Sequence, residues 1–89
     1  MRTVTIDARH IHTAAALQRY IAYLFDFPAY YGRNLDALHD MLTTLDRQTR
    51  IVLIAAQEPS EEMARYLPRL LRVLEDSAQE NALLTVEAK

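Results

Sequence analysis

The sequence has no cysteine and only one glycine in 89 residues. Without cysteine there is no disulfide framework, no thiolate metal site and no cysteine nucleophile. A single glycine, Gly32, excludes the glycine-rich loops that cradle phosphate groups. No charge of one sign dominates. The formal net charge of −2 leaves no basic excess of the kind nucleic-acid binders carry. Long hydrophobic runs are missing too, since the longest, IVLIAA at 51–56, is far too short to span a bilayer. The opening MRTVTIDARH lacks the apolar core of a signal peptide, so a soluble, cytoplasmic protein is expected. What is present is a 51% apolar fraction, enough for one core and one domain over residues 1–89.

Periodicity supplies the elements. Residues 3–7, TVTID, alternate polar and apolar and predict a strand with Val4 and Ile6 on one face. Thr13 is placed to cap a helix to about residue 25, with Leu17, Tyr20, Ile21 and Leu24 at the spacing of a buried stripe. Pro28 bars its extension. Asn34 is a favourable N-cap for a second helix through Leu45. Residues 51–56 form an unbroken apolar run that suits a strand covered on both faces. From Ser60 the helical pattern runs to about residue 80, but Pro68 lies inside it and predicts two helices, 60–67 and 69–80. Residues 83–87, LLTVE, predict a last strand. The order β-α-α-β-α-α-β predicts a small α/β domain, a three-stranded parallel sheet packed with four helices.

The second helix carries the chemistry. At ~100° per residue, Leu35, Leu38, Met41, Leu42 and Leu45 share one stripe, while Asp36, His39, Asp40 and Thr43 face the other way. Asp36 benefits from the helix dipole in the first turn. Asp40 sits mid-helix, where aspartate is a poor helix former and repels its neighbour one turn back. A solvated face and a preformed acidic patch for a cationic partner both fit that pattern. Before the helix, Gly32 predicts a backbone conformation other residues reach only with strain. Tyr30 and Tyr31 are expected to split, one outward and one into the core. Along the last helical segment, Arg65, Arg69 and Arg72 predict a stripe salt-linked through Glu61 and Asp76 at four-residue spacing.

The stretch PAYYGRNLDALHDML resembles the P-x-YYG-x-NLDALWD-x-L signature of the barstar family, intracellular inhibitors of small secreted bacterial ribonucleases of the barnase type. The match is ungapped. Weaker similarity continues in family order through Ile11, Leu17, IVLIAA, V-L-E-D-S and L-T-V. The resemblance implies a three-stranded parallel sheet with four helices. It also implies a helix and loop that enter the ribonuclease active site, with aspartates in place of RNA phosphates. Carried over by residue, it makes Tyr30, Asp36 and Asp40 contacts, gives Gly32 and Asn34 the shaping of the loop and helix cap, and aligns Asp76 with an acidic contact. The chain departs from the pattern at His39 and Leu45, where tryptophans are usual, at Thr44 for glycine, and at Arg33 for an acidic residue. Arg33 repels a basic enzyme unless it points away.

The implied partner is a small basic ribonuclease, with no direct nucleic-acid or membrane contact and a monomer when free. An interaction module whose partner is not a ribonuclease is the alternative. Catalysis and metal binding find little support. His10 and His12 point to opposite sides of an extended segment, one helix face rarely supplies a full ligand set, and no nucleophile–base pair or cofactor motif is present.

Overall fold

The computed structural model describes residues 1–89. Three strands, β1 (Arg2–Asp7), β2 (Thr49–Ile54) and β3 (Leu84–Ala88), form a parallel sheet in the order β1-β2-β3. Three helices connect them: α1 (Ala14–Phe25) and α2 (Leu35–Thr43) between β1 and β2, and α3 (Glu61–Glu80) between β2 and β3. Parallel pairing of strands joined by helical crossovers is the arrangement this order requires.

Register decides where the core lies. Val4, Ile51 and Val86 stand side by side, as do Ile6 and Leu53, and these residues face the helices. Leu17 and Ile21 of α1, Leu38 and Leu42 of α2, and Met63, Leu70 and Leu74 of α3 complete that core without solvent exposure. The opposite sheet face carries Thr3, Thr5, Arg50, Thr85 and Glu87. Val52 lies there between Thr5 and Glu87 in register, 5% exposed yet outside the core cluster, and Arg50 pairs with Glu87 on the same face. β2 is therefore buried on both sides, but the helical layer serves only one.

The two helices expected around Pro68 are one. Pro68 cannot donate to the Ala64 carbonyl, a loss of about 3 kcal/mol in a helix interior. Both residues lie on the exposed side of α3, where water can solvate the freed carbonyl. Leu70 and Leu74, beyond the proline, continue the buried stripe begun by Met63 and Leu67. Burying such side chains contributes roughly 1.5–3 kcal/mol each, which outweighs the defect.

Other boundaries move by one or two residues. α2 stops at Thr43 rather than Leu45, and the hydroxyls there satisfy carbonyls of its last turn, Thr43 Oγ1 donating to that of His39 at 2.9 Å and Thr44 Oγ1 to that of Met41 at 3.1 Å. α1 ends at Asp26 in the left-handed region, φ 55°, two residues before Pro28. The two N-caps expected, Thr13 and Asn34, act as such, and Ser60 caps α3 in the same way: each accepts from the backbone N–H three residues on.

The salt-linked arginine stripe does not form. The ion pairs of the molecule are Arg9–Asp7, His39–Glu80 and Arg50–Glu87, and Arg65, Arg69 and Arg72 stand exposed outside them. An exposed i,i+4 pair contributes only about 0.3–0.5 kcal/mol, too little to hold two long side chains in one geometry. Arg69 lies instead over the Tyr66 ring, 5.9 Å from its centroid.

Restoring the missing donor should stabilise α3. Pro68→Ala is expected to raise unfolding free energy by about 1–3 kcal/mol in urea titration. A loss of stability would mean that the ring, exposed as it is, contributes packing the helix needs.

Candidate functional site

The turn between α1 and α2 is anchored by one buried amide. Gln18 of α1 is 2% exposed, accepts from the Tyr31 hydroxyl and donates through Nε2 to the Tyr66 hydroxyl of α3 at 2.7 Å. Tyr31, 5% exposed, also packs against Phe27 with centroids 4.8 Å apart, and Phe27 stacks on Phe25. Its backbone N–H donates to the Pro28 carbonyl at 2.9 Å, closing the turn. With Tyr31 fixed inward, Tyr30 is thrown outward and is 81% exposed, the division expected of the pair.

Gly32 serves a different purpose from the one expected. Its φ is not positive; the left-handed residue of the turn is Arg33, at φ 54°. What Gly32 provides is room. A Cβ there would stand 3.2 Å from Ala37 Cβ and 3.3 Å from Asn34 Nδ2. The turn thus passes against the first turn of α2. Asn34 braces it from both sides: Oδ1 accepts from the Ala37 N–H at 2.7 Å and Nδ2 donates to the Gly32 carbonyl at 3.3 Å.

On the outer face of α2, Asp36 and Asp40 are exposed, and neither enters an ion pair. Tyr30, Gly32 and Asp40 meet at a groove of about 210 Å³ whose base includes Met41 and Tyr31. Asp36 lies away from it, at a larger cleft of about 410 Å³ shared with Asn34, Arg33 and Arg69. His39 is half-exposed and tied down, its Nε2 2.5 Å from Glu80 Oε2 in the last turn of α3. A carboxylate only accepts, so Nε2 carries the proton. Asp76, exposed and one turn before Glu80, lies on the same side of α3 as Glu80. Thr43 and Thr44 spend their hydroxyls on the helix end, and Leu45 is half-buried against the core. Nowhere do three His, Asp or Glu side chains converge as metal ligands would.

Three residues that position this face were not singled out from sequence. Gln18 was detectable as a polar residue inside the Leu17–Ile21–Phe25 stripe, and Tyr66 is its partner. Asn81, 9% exposed, donates through Nδ2 to the carbonyls of Leu42 and Leu45, both at 3.0 Å, closing the C-terminal end of α2 from across the fold. Nothing local to Asn81 reveals that contact.

The Tyr31 phenol titrates above its ordinary value near 10, because burial disfavours the phenolate and Tyr66 nearby adds to the effect. An unfolded phenol loses its proton near pH 10 while the folded one keeps it. Stability from this residue is therefore complete below pH 10 and declines as pH rises beyond it, by at most about 1.4 kcal/mol per pH unit.

The sequence profile of the family described as Barstar (barnase inhibitor) matches residues 1–88. Among curated proteins, the chain is similar to the one named "Putative ribonuclease inhibitor YrdF" of Bacillus subtilis (strain 168). The two are 35% identical over 81 residues, which cover 90% of this chain and 89% of the relative.

Two outcomes test the geometry. Tyr31→Phe should lower stability at pH 7, since the buried Gln18 oxygen loses its donor, and flatten the decline between pH 9 and 11 in urea titrations. An unchanged alkaline slope would mean another group causes it. Gly32→Ala should destabilise by about 1 kcal/mol despite restricting the unfolded chain, and Ala37→Gly should cost less in that background than alone. Strict additivity in this cycle would rule out the Gly32–Ala37 contact as the reason for glycine.

Proposed function

The chain belongs to the barstar family, and on that footing we propose that it inhibits a small secreted ribonuclease of the barnase type, covering the active site with the outer face of α2 and the preceding turn. The observation that carries this reading is the state of Asp36 and Asp40: two exposed carboxylates one turn apart on a capped helix, neither paired within the chain. Their mutual repulsion, roughly 0.2–0.5 kcal/mol, is relieved only by a cation from outside. A ribonuclease pocket built for phosphates supplies that cation.

The mechanism has two parts. Clustered negative charge steers a basic enzyme toward this face and raises the association rate. Once docked, Asp40 beside the Tyr30 groove becomes a desolvated, charge-assisted acceptor for a guanidinium or ammonium group, which slows dissociation. Tyr30 offers a rigid ring with a polar tip, a composition common at interfaces. Asp36, His39, Asp76 and the Thr43–Leu45 end of the helix frame the same surface. His39 is held there by Glu80 instead of presenting the flat ring a tryptophan would. In this reading the protein acts by occlusion, not catalysis, and works inside the producing cell while its target acts outside.

Inhibition assays against a panel of guanyl-specific ribonucleases provide the test. For an enzyme that the chain inhibits, Asp40→Ala should weaken the complex by about 2–5 kcal/mol, the range for desolvated charge pairs, with the barstar–barnase complex itself among the reference systems. Arg65→Ala should leave it nearly unchanged, and both variants should melt within a few degrees of the parent. Equal effects from the two substitutions would place the interface elsewhere. No inhibition across the panel would favour a partner that is not a ribonuclease.

A further inference from the structure

The largest cleft of the molecule, about 410 Å³, lies between α1, α3 and the start of α2, at the N-terminal edge of the acidic face. Its polar lining is mostly donor. Arg33 and Arg69 both line it, and neither guanidinium enters an ion pair. Tyr66 accepts from Gln18, and the hydrogen bonds of the protein leave the Tyr66 O–H proton without an acceptor. The one carboxylate of the lining is Asp36.

Arg33 lies on this side of the turn. At φ 54° it departs from the line of the turn, and it lines this cleft and a second one with Arg19, Phe27 and Tyr31, but not the groove of Tyr30 and Asp40. It therefore does not occupy the surface where a cation would meet Asp40. The exposed face is bipolar, with carboxylates along α2 and guanidinium groups at its N-terminal flank.

We propose that this cleft receives an acidic side chain of the ribonuclease, held by Arg33, Arg69 and the Tyr66 hydroxyl, and that it selects among partner enzymes. The inference rests on the inhibitor reading above. Guanidinium groups bind carboxylates through paired, charge-assisted hydrogen bonds, and an aromatic hydroxyl is a fitting third donor. A protein-borne carboxylate suits the site better than a free anion. Asp36 at the margin repels a free anion, whereas a partner that places a cation on Asp36 carries its neighbouring carboxylate over the arginines. Like charges placed against the wrong partner are also how interfaces reject competitors, so an enzyme with a basic residue here is excluded by Arg33.

Charge reversal gives opposite signs for the alternatives. Replacing an arginine by glutamate makes the inhibitor more acidic, so bulk attraction to a basic enzyme predicts tighter binding. A carboxylate in the cleft predicts weaker binding. The probe is the panel ribonuclease that the unmodified chain inhibits most strongly, with association and dissociation measured at low and physiological salt. Arg33→Glu and Arg69→Glu should each raise Kd by about tenfold or more, while Arg65→Glu, on α3 outside the cleft, should leave Kd within about twofold or lower it. An Asp or Glu to Lys change on the ribonuclease that rescues Arg33→Glu identifies the bound carboxylate. If both reversals leave binding unchanged or tighten it while Asp40→Ala still weakens it, the cleft assignment falls and the inhibitor reading stands. Thermal protection by millimolar inorganic phosphate, lost in Arg33→Glu without any change in ribonuclease binding, would replace it with a free-anion site. A panel with no inhibited enzyme removes both readings together.

Discussion

The buried amide of Gln18 is the constraint on which the candidate surface depends. It sits in an otherwise apolar stripe of α1, and burying an unbonded amide would cost several kcal/mol. Its oxygen is satisfied by Tyr31 and its nitrogen by Tyr66, so one side chain ties the turn, α1 and α3 together. That relation sets everything outward of it. Tyr30 is exposed because Tyr31 is not, and the turn lies close enough to α2 that position 32 cannot carry a Cβ comfortably. A network fully satisfied in this way specifies geometry more sharply than apolar packing alone, since no slipped arrangement satisfies the same donors and acceptors.

α2 is held at both ends by asparagines that play complementary parts. Asn34 satisfies an N–H of the first turn, and Asn81 satisfies carbonyls at the far end from a position nearly forty residues later in the chain. The His39–Glu80 contact adds a third tie near the middle. A nine-residue helix is too short to be stable by itself in water. Its order comes from these ties and from Leu38 and Leu42 beneath it. The carboxylates it displays are therefore fixed before any partner arrives, which lowers the ordering cost of binding.

Much of this was legible in the sequence, and the limits have physical causes. Strand alternation in β1, the N-caps Thr13 and Asn34, the apolar stripe of α2 and the outward placement of Asp36 and Asp40 all follow from local rules, and all are observed. The failures involve competition between local and global terms. Pro68 is a helix breaker by local preference, but the buried stripe on the other side of α3 outweighs it. Glutamate–arginine spacing permits ion pairs without making them worth forming. Gly32 shows a subtler limit: sequence marks a place where a side chain is unwelcome, but not whether a dihedral or a neighbour excludes it. Asn81 lies beyond local rules altogether, because its partners are chosen by the fold.

The turn itself shows how such a surface is kept in place when its left-handed positions are not glycine. Asp26 and Arg33, at φ 55° and 54°, bracket it. Aspartate tolerates this conformation better than most residues, but arginine does not, and Arg33 costs roughly 1–2 kcal/mol. Between them Phe27 and Tyr31 pack into the core and against one another, and that burial offsets the strain. The conformation of the turn is thus a consequence of its packing, not of its own preference. The position of the Arg33 side chain is then coupled to the core: the same contacts that draw Tyr31 inward rotate Arg33 toward α1 and α3 and away from Asp40. An arginine that would oppose a basic partner, were it on the acidic face, becomes by this coupling a separate positive flank beside it.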